Sequence, residues 1–284
     1  MIFIEAALPD TPAWIRHFEQ SGVPVLARTS EALAELKEDI DDISPRDVSD
    51  VIIEDPLMSL KVLIWANKHL TRNIAITGSS LANEIETVET ALVSVGIGPF
   101  FRQFEHLDTV EERLADIPEA QLGLLRVLQR SLNAANFARD WAGYRNDLDI
   151  EVIVEAAMLH DVAEVLVWIF APKLSLDMQS IHHSLPRVRT GAIQKSVLGI
   201  TLNQLEVAIM HDWRLSTLLR QLTDDAHVDS PQVRNAVLAA NLARHLANGV
   251  DDPALADDFA EIARLLRTSP EWVRERVLPD QTPA

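Results

Sequence analysis

The sequence predicts an all-α protein, and three observations support this fold class. Glycine accounts for 9 of the 284 residues, which is less than half of the usual share of about 7%, whereas hairpin-rich sheets need glycine in their turns. Short motifs containing proline or glycine divide the chain into segments. Within these segments apolar residues recur at spacings of three and four, which is typical of helices that bury one side.

Steps in which serine or aspartate precedes proline predict four helix starts. In each step a side-chain oxygen can accept from the first free N–H groups of the helix, and proline is favoured at the first helical position. The steps are Ser44-Pro45, Asp55-Pro56, Ser230-Pro231 and Ser269-Pro270. Asp55 is therefore interpreted as a helix cap and not as a catalytic acid. Helix ends are predicted at Gly96, Gly199 and Gly249, since glycine adopts the backbone conformations that close helices.

Two long segments are predicted to form the centre of the fold. Residues 118–142 carry a helical apolar stripe, and residues 151–170 are apolar on almost every side, which predicts one buried helix. The tail after Gly249 predicts two short helices. Only Ile2–Ala6 resembles a strand.

Composition shifts suggest how the chain is organised. The boundaries lie near a Pro/Gly-marked stretch before residue 105 and near an Asp-Asp-Pro step after residue 250. We expect an N-terminal segment (1–21), a domain of two packed helical lobes (22–105 and 106–250) and a helical C-terminal extension (251–284).

Charge, hydropathy and cysteine content exclude several classes of protein. The net charge is −18, from 43 acidic and 25 basic residues, and no run of lysine and arginine is longer than a few residues, so direct binding of nucleic acid or anionic lipid is not expected. No apolar run reaches the ~18 residues of a membrane span, and the N-terminus carries no basic leader. With no cysteine the chain has no disulfide or thiolate chemistry, and a cytoplasmic location is expected.

The dipeptide His160-Asp161 is the strongest candidate for chemistry. It falls mid-way along the segment predicted to be the most buried helix, where ionised groups are costly without partners. A neutral imidazole beside a carboxylate can bind a divalent metal ion. A polar pair bonded only to backbone and a neighbouring helix explains the dipeptide equally well.

The surroundings of this dipeptide resemble the central motif of the HD phosphohydrolase superfamily, and the chain as a whole resembles the HDOD family, the HD-related output domain of bacterial signalling proteins. The resemblance covers roughly residues 22–250 and depends on the order of several motifs. These are Gly22–Leu26, Val51–Leu57 with Leu63–Asn67, Ile85–Leu92 with Gly96, Ala157–Val162, and Leu198–Ile200 with Ala208–Leu215. The resemblance implies a two-lobed helical bundle of HD-domain type.

The resemblance also implies that the metal site of the HD enzymes is degenerate here. Those enzymes need a further histidine on the preceding helix and an aspartate on a later helix. At the matching positions this sequence has Arg130 and Asn241. A guanidinium is always protonated and cannot bind a metal ion, and an amide lacks the charge of a carboxylate. We therefore expect no bound metal and no cofactor.

The sequence also matches poorly a second branch of the HD superfamily, whose members hydrolyse cyclic dinucleotides. Its glycine-lysine step after the His-Asp pair corresponds to Ala163 and Glu164, and its later histidines would fall near Leu202 and Asp224-Asp225. His182-His183 lies in a polar stretch interpreted as a loop, at a spacing that does not fit a metal site.

Arg130 beside Asp161 is expected to form a salt bridge that replaces the lost cation.

Three functions from different classes remain open. The leading one is a non-catalytic module of bacterial signal transduction, of the two-component or response-regulator kind, that acts through protein partners and can form a homodimer. The second is a metal-dependent phosphohydrolase that uses His160 and Asp161 with atypical ligands. The third is a sensor that holds a nucleotide or another small molecule beside Arg130.

Overall fold

The computed structural model describes residues 3–77, 84–185, 187–223 and 230–278. Most of this part of the chain is helical, as predicted, and its only β feature is a single parallel bridge between Val25 and Thr109. The helices are α1 (Thr11–Ser21), α2 (Ala27–Glu38), α3 (Pro45–Ile52), α4 (Pro56–Thr77), α5 (Val88–Val95), α6 (Ile97–Gln103), α7 (Val110–Arg113), α8 (Pro118–Arg145), α9 (Ile150–Leu159), α10 (Val162–Phe170), α11 (Pro172–Ser184), α12 (Thr190–Leu198), α13 (Leu202–Asp212), α14 (Thr217–Leu222), α15 (Pro231–Asn248), α16 (Leu255–Leu266) and α17 (Pro270–Val277).

The predicted helix boundaries are confirmed. Helices α3, α4, α15 and α17 each begin at the proline of a predicted step. Ser44 forms a capping box with Asp47, and Ser269 accepts from the amide of Trp272. Ser230 does not cap, because its hydroxyl donates to Gln232 Oε1 instead. Helices α5, α12 and α15 end at the predicted glycines, all with positive φ.

Other predictions need correction. The segment 151–170 forms two helices, α9 and α10, and not one. The described residues of Ile2–Ala6 form no strand. The amide of Ile4 donates to the carbonyl oxygen of Phe170 at 2.8 Å, and Phe170 belongs to α10 and not to a strand. The tail forms the two predicted short helices, α16 and α17.

The chain divides into two compact units, each made of two chain segments. Unit 1 comprises residues 1–128 and 161–217, and unit 2 comprises residues 129–160 and 218–284. The boundaries of these units differ from those of the two helical lobes expected from the sequence. The lobe boundaries (22–105 and 106–250) remain a prediction.

The core of unit 1 is rich in aromatic side chains. Helix α13 packs against both α1 and α10, and Trp14 and Phe18 of α1 are fully buried. The rings of Phe18 and Phe170 lie 5.0 Å apart between centroids. The guanidinium of Arg113 lies 5.2 Å from the centre of the Phe170 ring, which is a cation–π distance.

A short linker in unit 1, residues 22–26 between α1 and α2, has its backbone bound by distant segments. The amide of Val25 donates to the carbonyl of Asp108 at 2.9 Å, and the amide of Val110 donates back to Val25 at 2.8 Å. Side chains bind three more backbone groups of the linker. Arg113 donates to the carbonyl of Gly22, Lys61 donates to the carbonyl of Val23, and Asp55 accepts from the amide of Leu26. The linker is therefore a fixed part of unit 1, because few of its backbone groups are left to water.

Unit 2 is a bundle centred on α9. Helix α15 packs against α9 and α16, and α16 packs against α17. Ala135 of α8 forms a core cluster with Val154 and Met158 of α9. Within the described ranges, no helix of the chain is both long enough and apolar enough to cross a bilayer.

Candidate functional site

The His160-Asp161 dipeptide occupies a break between two helices. His160 ends α9, and Asp161, with φ −107° and ψ 20°, precedes the first residue of α10. Both residues are half-buried. The expectation of a pair inside one continuous helix is therefore wrong, because α9 ends at Leu159 and α10 begins at Val162.

A carboxylate that the sequence analysis missed lies at the start of α10. Glu206 of α13 is buried, with 5% of its surface exposed, and its Oε2 accepts from the amide of Ala163 at 3.1 Å. The side chain of Asp161 forms no cap of its own helix. A negative charge at a helix N-terminus is stabilising, so Glu206 supports the start of α10 in a way that local spacing could not reveal.

The four predicted site residues fall into both units. Arg130, His160 and Asn241 belong to unit 2, whereas Asp161 belongs to unit 1. All four are half-buried. In unit 2 they come from α8, from the end of α9 and from α15, and α9 packs against the other two helices. The salt bridge between Arg130 and Asp161 stays a prediction, since it would join different units.

The side chain of Asn241 is held by a neighbouring arginine. Nη1 of Arg244, one turn further along α15, donates to Oδ1 of Asn241 at 3.0 Å. Asn241 stands where the resemblance puts the last metal ligand. Its oxygen already accepts a hydrogen bond from a positively charged group. In the part of the chain that the structure describes, no three histidine, aspartate or glutamate side chains are grouped so that they could hold a metal ion.

Comparison with known proteins identifies the family. A profile of the HDOD domain matches residues 23–228, which is more than half of the chain. The chain belongs to the HDOD family. The matched range includes Arg130, His160 and Asp161, whereas Asn241 lies beyond it. Asp224-Asp225, named above for a second branch, lie within the matched range but outside the described residues.

Solved structures show the same fold at low sequence identity. The MmoQ response regulator of Methylococcus capsulatus str. Bath is 18% identical, with a TM-score of 0.63 over 91% of this chain and 98% of that one. A virulence factor of Campylobacter jejuni subsp. jejuni is 19% identical, also with a TM-score of 0.63, over 90% of this chain and 89% of that one. Among curated proteins, no sequence matches the chain.

Other polar residues of this HDOD chain have structural partners. Asn67, in the middle of α4, is buried and exchanges hydrogen bonds with the backbone of Ile85, at 3.0 and 3.2 Å. His182-His183 lies in the last turn of α11 and not in a loop, with both side chains exposed. His211 is exposed and lies 3.2 Å from the carboxylate of Asp212.

Asp55 is the helix cap that the sequence predicts, and it has a second role. Its Oδ1 accepts from the amides of Leu57 and Met58 at the start of α4, at 2.9 and 3.3 Å. Its Oδ2 accepts from the amide of Leu26 in the linker at 2.8 Å. The hydroxyl of Thr29 donates to the same carboxyl group. One fully buried side chain thus fixes α4 and α2 together.

We expect Asp55 to make the stability of the protein depend on pH. Burial raises the pKa of its carboxyl group above the ordinary value of 3.8, and this outweighs the hydrogen bonds that lower it. Since the folded pKa exceeds the unfolded one, the folded protein binds more protons. The contribution of Asp55 is therefore full below the unfolded pKa and is lost as the pH rises through the folded pKa.

The measurement is the difference in unfolding free energy between the wild type and Asp55→Asn, from denaturant titrations between acidic and neutral pH. Taking the difference cancels the titration of the other carboxyl groups, because both proteins share them. We expect the wild type to lose stability relative to the variant as the pH rises. A difference that is constant, or that moves the other way, would contradict the prediction.

Proposed function

We propose that this HDOD protein is a non-catalytic, cytoplasmic module of bacterial signal transduction that acts through contacts with other proteins. The proposal depends on the chemistry of its site residues. Metal-dependent hydrolysis needs neutral or negative donors around the ion, and the resemblance puts Arg130 and Asn241 at two of the ligand positions.

The contact between Arg244 and Asn241 is the observation that carries the proposal. The amide oxygen of Asn241 accepts from the Arg244 guanidinium at 3.0 Å. A divalent ion on that oxygen would have to displace a cation and would meet its charge at close range. Together with the Arg130 that the resemblance puts at a histidine position, this contact supports a site without a metal ion.

The signalling role is supported by the family and by the name of one structural neighbour. HDOD domains are, by the resemblance, output domains of signalling proteins, and the Methylococcus capsulatus neighbour is a response regulator. Because the net charge of the chain is −18, we propose that its partner is a protein and not nucleic acid or a membrane.

The test combines metal analysis with a hydrolysis assay on the purified full chain. Iron, manganese and zinc are measured by mass spectrometry, and turnover is measured on bis(p-nitrophenyl) phosphate with each metal added. We expect a metal content far below one ion per chain and no turnover above that of His160→Ala. The variant Arg130→His/Asn241→Asp restores the expected ligand types, so we expect it to bind metal more tightly than the wild type.

The opposite result would identify a hydrolase. It would consist of one tightly bound ion per chain in the wild type that is lost in His160→Ala, or of phosphodiester hydrolysis that requires His160. Affinity purification from the native cell should recover a protein that rebinds the pure chain at a fixed ratio. If no such protein is recovered, action through protein contacts is wrong.

A further inference from the structure

A basic cleft lies within unit 2, which is notable in a chain with a net charge of −18. It has a volume of about 510 Å³ and is lined by Tyr144, Arg145, Pro231, Arg234, Arg264, Leu265, Leu266 and Arg267. Four arginines therefore line one cavity, together with two buried leucines. This volume falls within the usual range for small-molecule sites, about 300–1,000 Å³.

The four arginines are not fully neutralised by neighbouring acids. Arg145 is held by both carboxylate oxygens of Asp147, at 3.0 and 3.1 Å. Arg234 and Arg264 share a single carboxylate, that of Glu261, at 3.2 and 2.6 Å. Two acids therefore serve the first three arginines, and the cleft keeps an excess of positive charge.

Among the described residues, Arg267 has no side-chain hydrogen bond or ion pair, and its side chain is exposed. Since each guanidinium has five N–H donors, Arg234, with one bond to Glu261, also has donors to spare. Arginines with unused donors are suited to phosphate groups, which they bind in pairs of parallel hydrogen bonds.

The backbone of Arg267 supplies a second, independent observation. Arg267 follows α16 with φ 55° and ψ 47°, in the left-handed region. Glycine is the usual residue there, because a side chain in this conformation is strained. Because a residue other than glycine carries a conformational cost here, replacement by glycine can separate the effect of the side chain on binding from its effect on stability.

An aromatic side chain completes the cleft. Tyr144 is 53% exposed, and its ring lies 5.3 Å from that of Trp272 between centroids. An exposed ring supported from one side by another ring offers a surface on which a flat heterocycle can stack. Phosphate donors and a stacking surface in one cavity are the two features that a nucleotide requires.

We propose that this cleft of unit 2 is a binding site for a nucleoside phosphate, with the phosphates on Arg234, Arg264 and Arg267 and the base on Tyr144. The site is separate from the His160-Asp161 dipeptide and does not depend on the function proposed above. A bound nucleotide would give the protein a small-molecule input that requires no metal and no catalysis.

The test is calorimetric titration of the full chain with ATP, GTP and pyrophosphate. We expect saturable binding of a nucleoside triphosphate, weakened about tenfold or more in Arg267→Gln, which is the effect of losing one or two charge-assisted hydrogen bonds. Arg274→Gln is the matched control, since it removes the same charge from an exposed position on α17 that does not line the cleft. Its affinity should equal that of the wild type.

Two further variants keep the result interpretable. Arg267→Gly removes the guanidinium and relieves the backbone strain, so we expect a Tm at or above that of the wild type together with weakened binding. Tyr144→Leu should weaken the nucleotide but not pyrophosphate. The proposal is overturned if neither nucleotide binds, if Arg274→Gln weakens binding as much as Arg267→Gln, or if pyrophosphate binds as tightly as the nucleotides.

Discussion

Replacing Gly123 with alanine is expected to lower the free energy of unfolding by about 1–3 kcal/mol, which is the usual cost of overfilling a packed core. Gly123 is buried in α8 against the indole of Trp168 in unit 1. A Cβ added at this position would lie 2.4 Å from the nearest ring carbon of Trp168, and two more ring carbons lie within 2.8 Å. Trp168 is itself buried, with 6% exposed, so its rigid ring has little room to retreat.

The same helix provides the control. Gly143 also lies in α8, is exposed, and has nothing within 4 Å of an added Cβ. There alanine is expected to stabilise the protein by up to about 1 kcal/mol, because glycine is a poor helix former. Both variants are compared by denaturant unfolding followed by circular dichroism. In a double-mutant cycle, Trp168→Leu should reduce the cost of Gly123→Ala. Equal effects of the two glycine replacements would contradict the steric explanation.

Replacing Asp55 with alanine is expected to destabilise the protein by about 2–5 kcal/mol, because it leaves several buried amides without an acceptor. The amides of Leu26 and Leu57 both donate to this carboxylate, at 2.8 and 2.9 Å. Asp55→Asn should lose less stability than Asp55→Ala. Its amide oxygen can still accept at the start of α4, but its NH₂ group would face the N–H of Leu26.

The control for Asp55 is Asp47, the capping-box residue of α3. It accepts from the amide and hydroxyl of Ser44, both at 2.7 Å, in a position exposed to water. Water can replace it, so Asp47→Ala should cost much less than Asp55→Ala in the same unfolding experiment. If the two variants lose similar stability, the linker contact of Asp55 contributes little.

The features predicted from sequence are those that depend on neighbouring residues. A helix start such as Ser44-Pro45 is determined by an oxygen and a ring within a few positions, so its signal is local. The cap at Asp55 was predicted for the same reason. Its bond to Leu26 was not, because that bond joins residues 29 positions apart.

The candidate site was less predictable because its determinants are distant in sequence. The apolar pattern of 151–170 is continuous and conceals the break at His160-Asp161, and the carboxylate that supports the restart of the helix lies 43 positions beyond Ala163. The arginines of the basic cleft come from three distant places in the chain, at position 145, at position 234, and at positions 264 and 267. No local sequence pattern connects these three places, so the cleft could not be predicted from the sequence.

The fixed linker between α1 and α2 has a consequence for how the chain matures during synthesis. Ala27, the first residue of α2, donates to Glu111, 84 positions later, and Gly22 accepts from Arg113, 91 positions later. Closing loops of this length is entropically unfavourable until both ends exist and their contacts can form together. The linker must therefore wait until α7 has left the ribosome before it reaches these native bonds, although it is translated earlier.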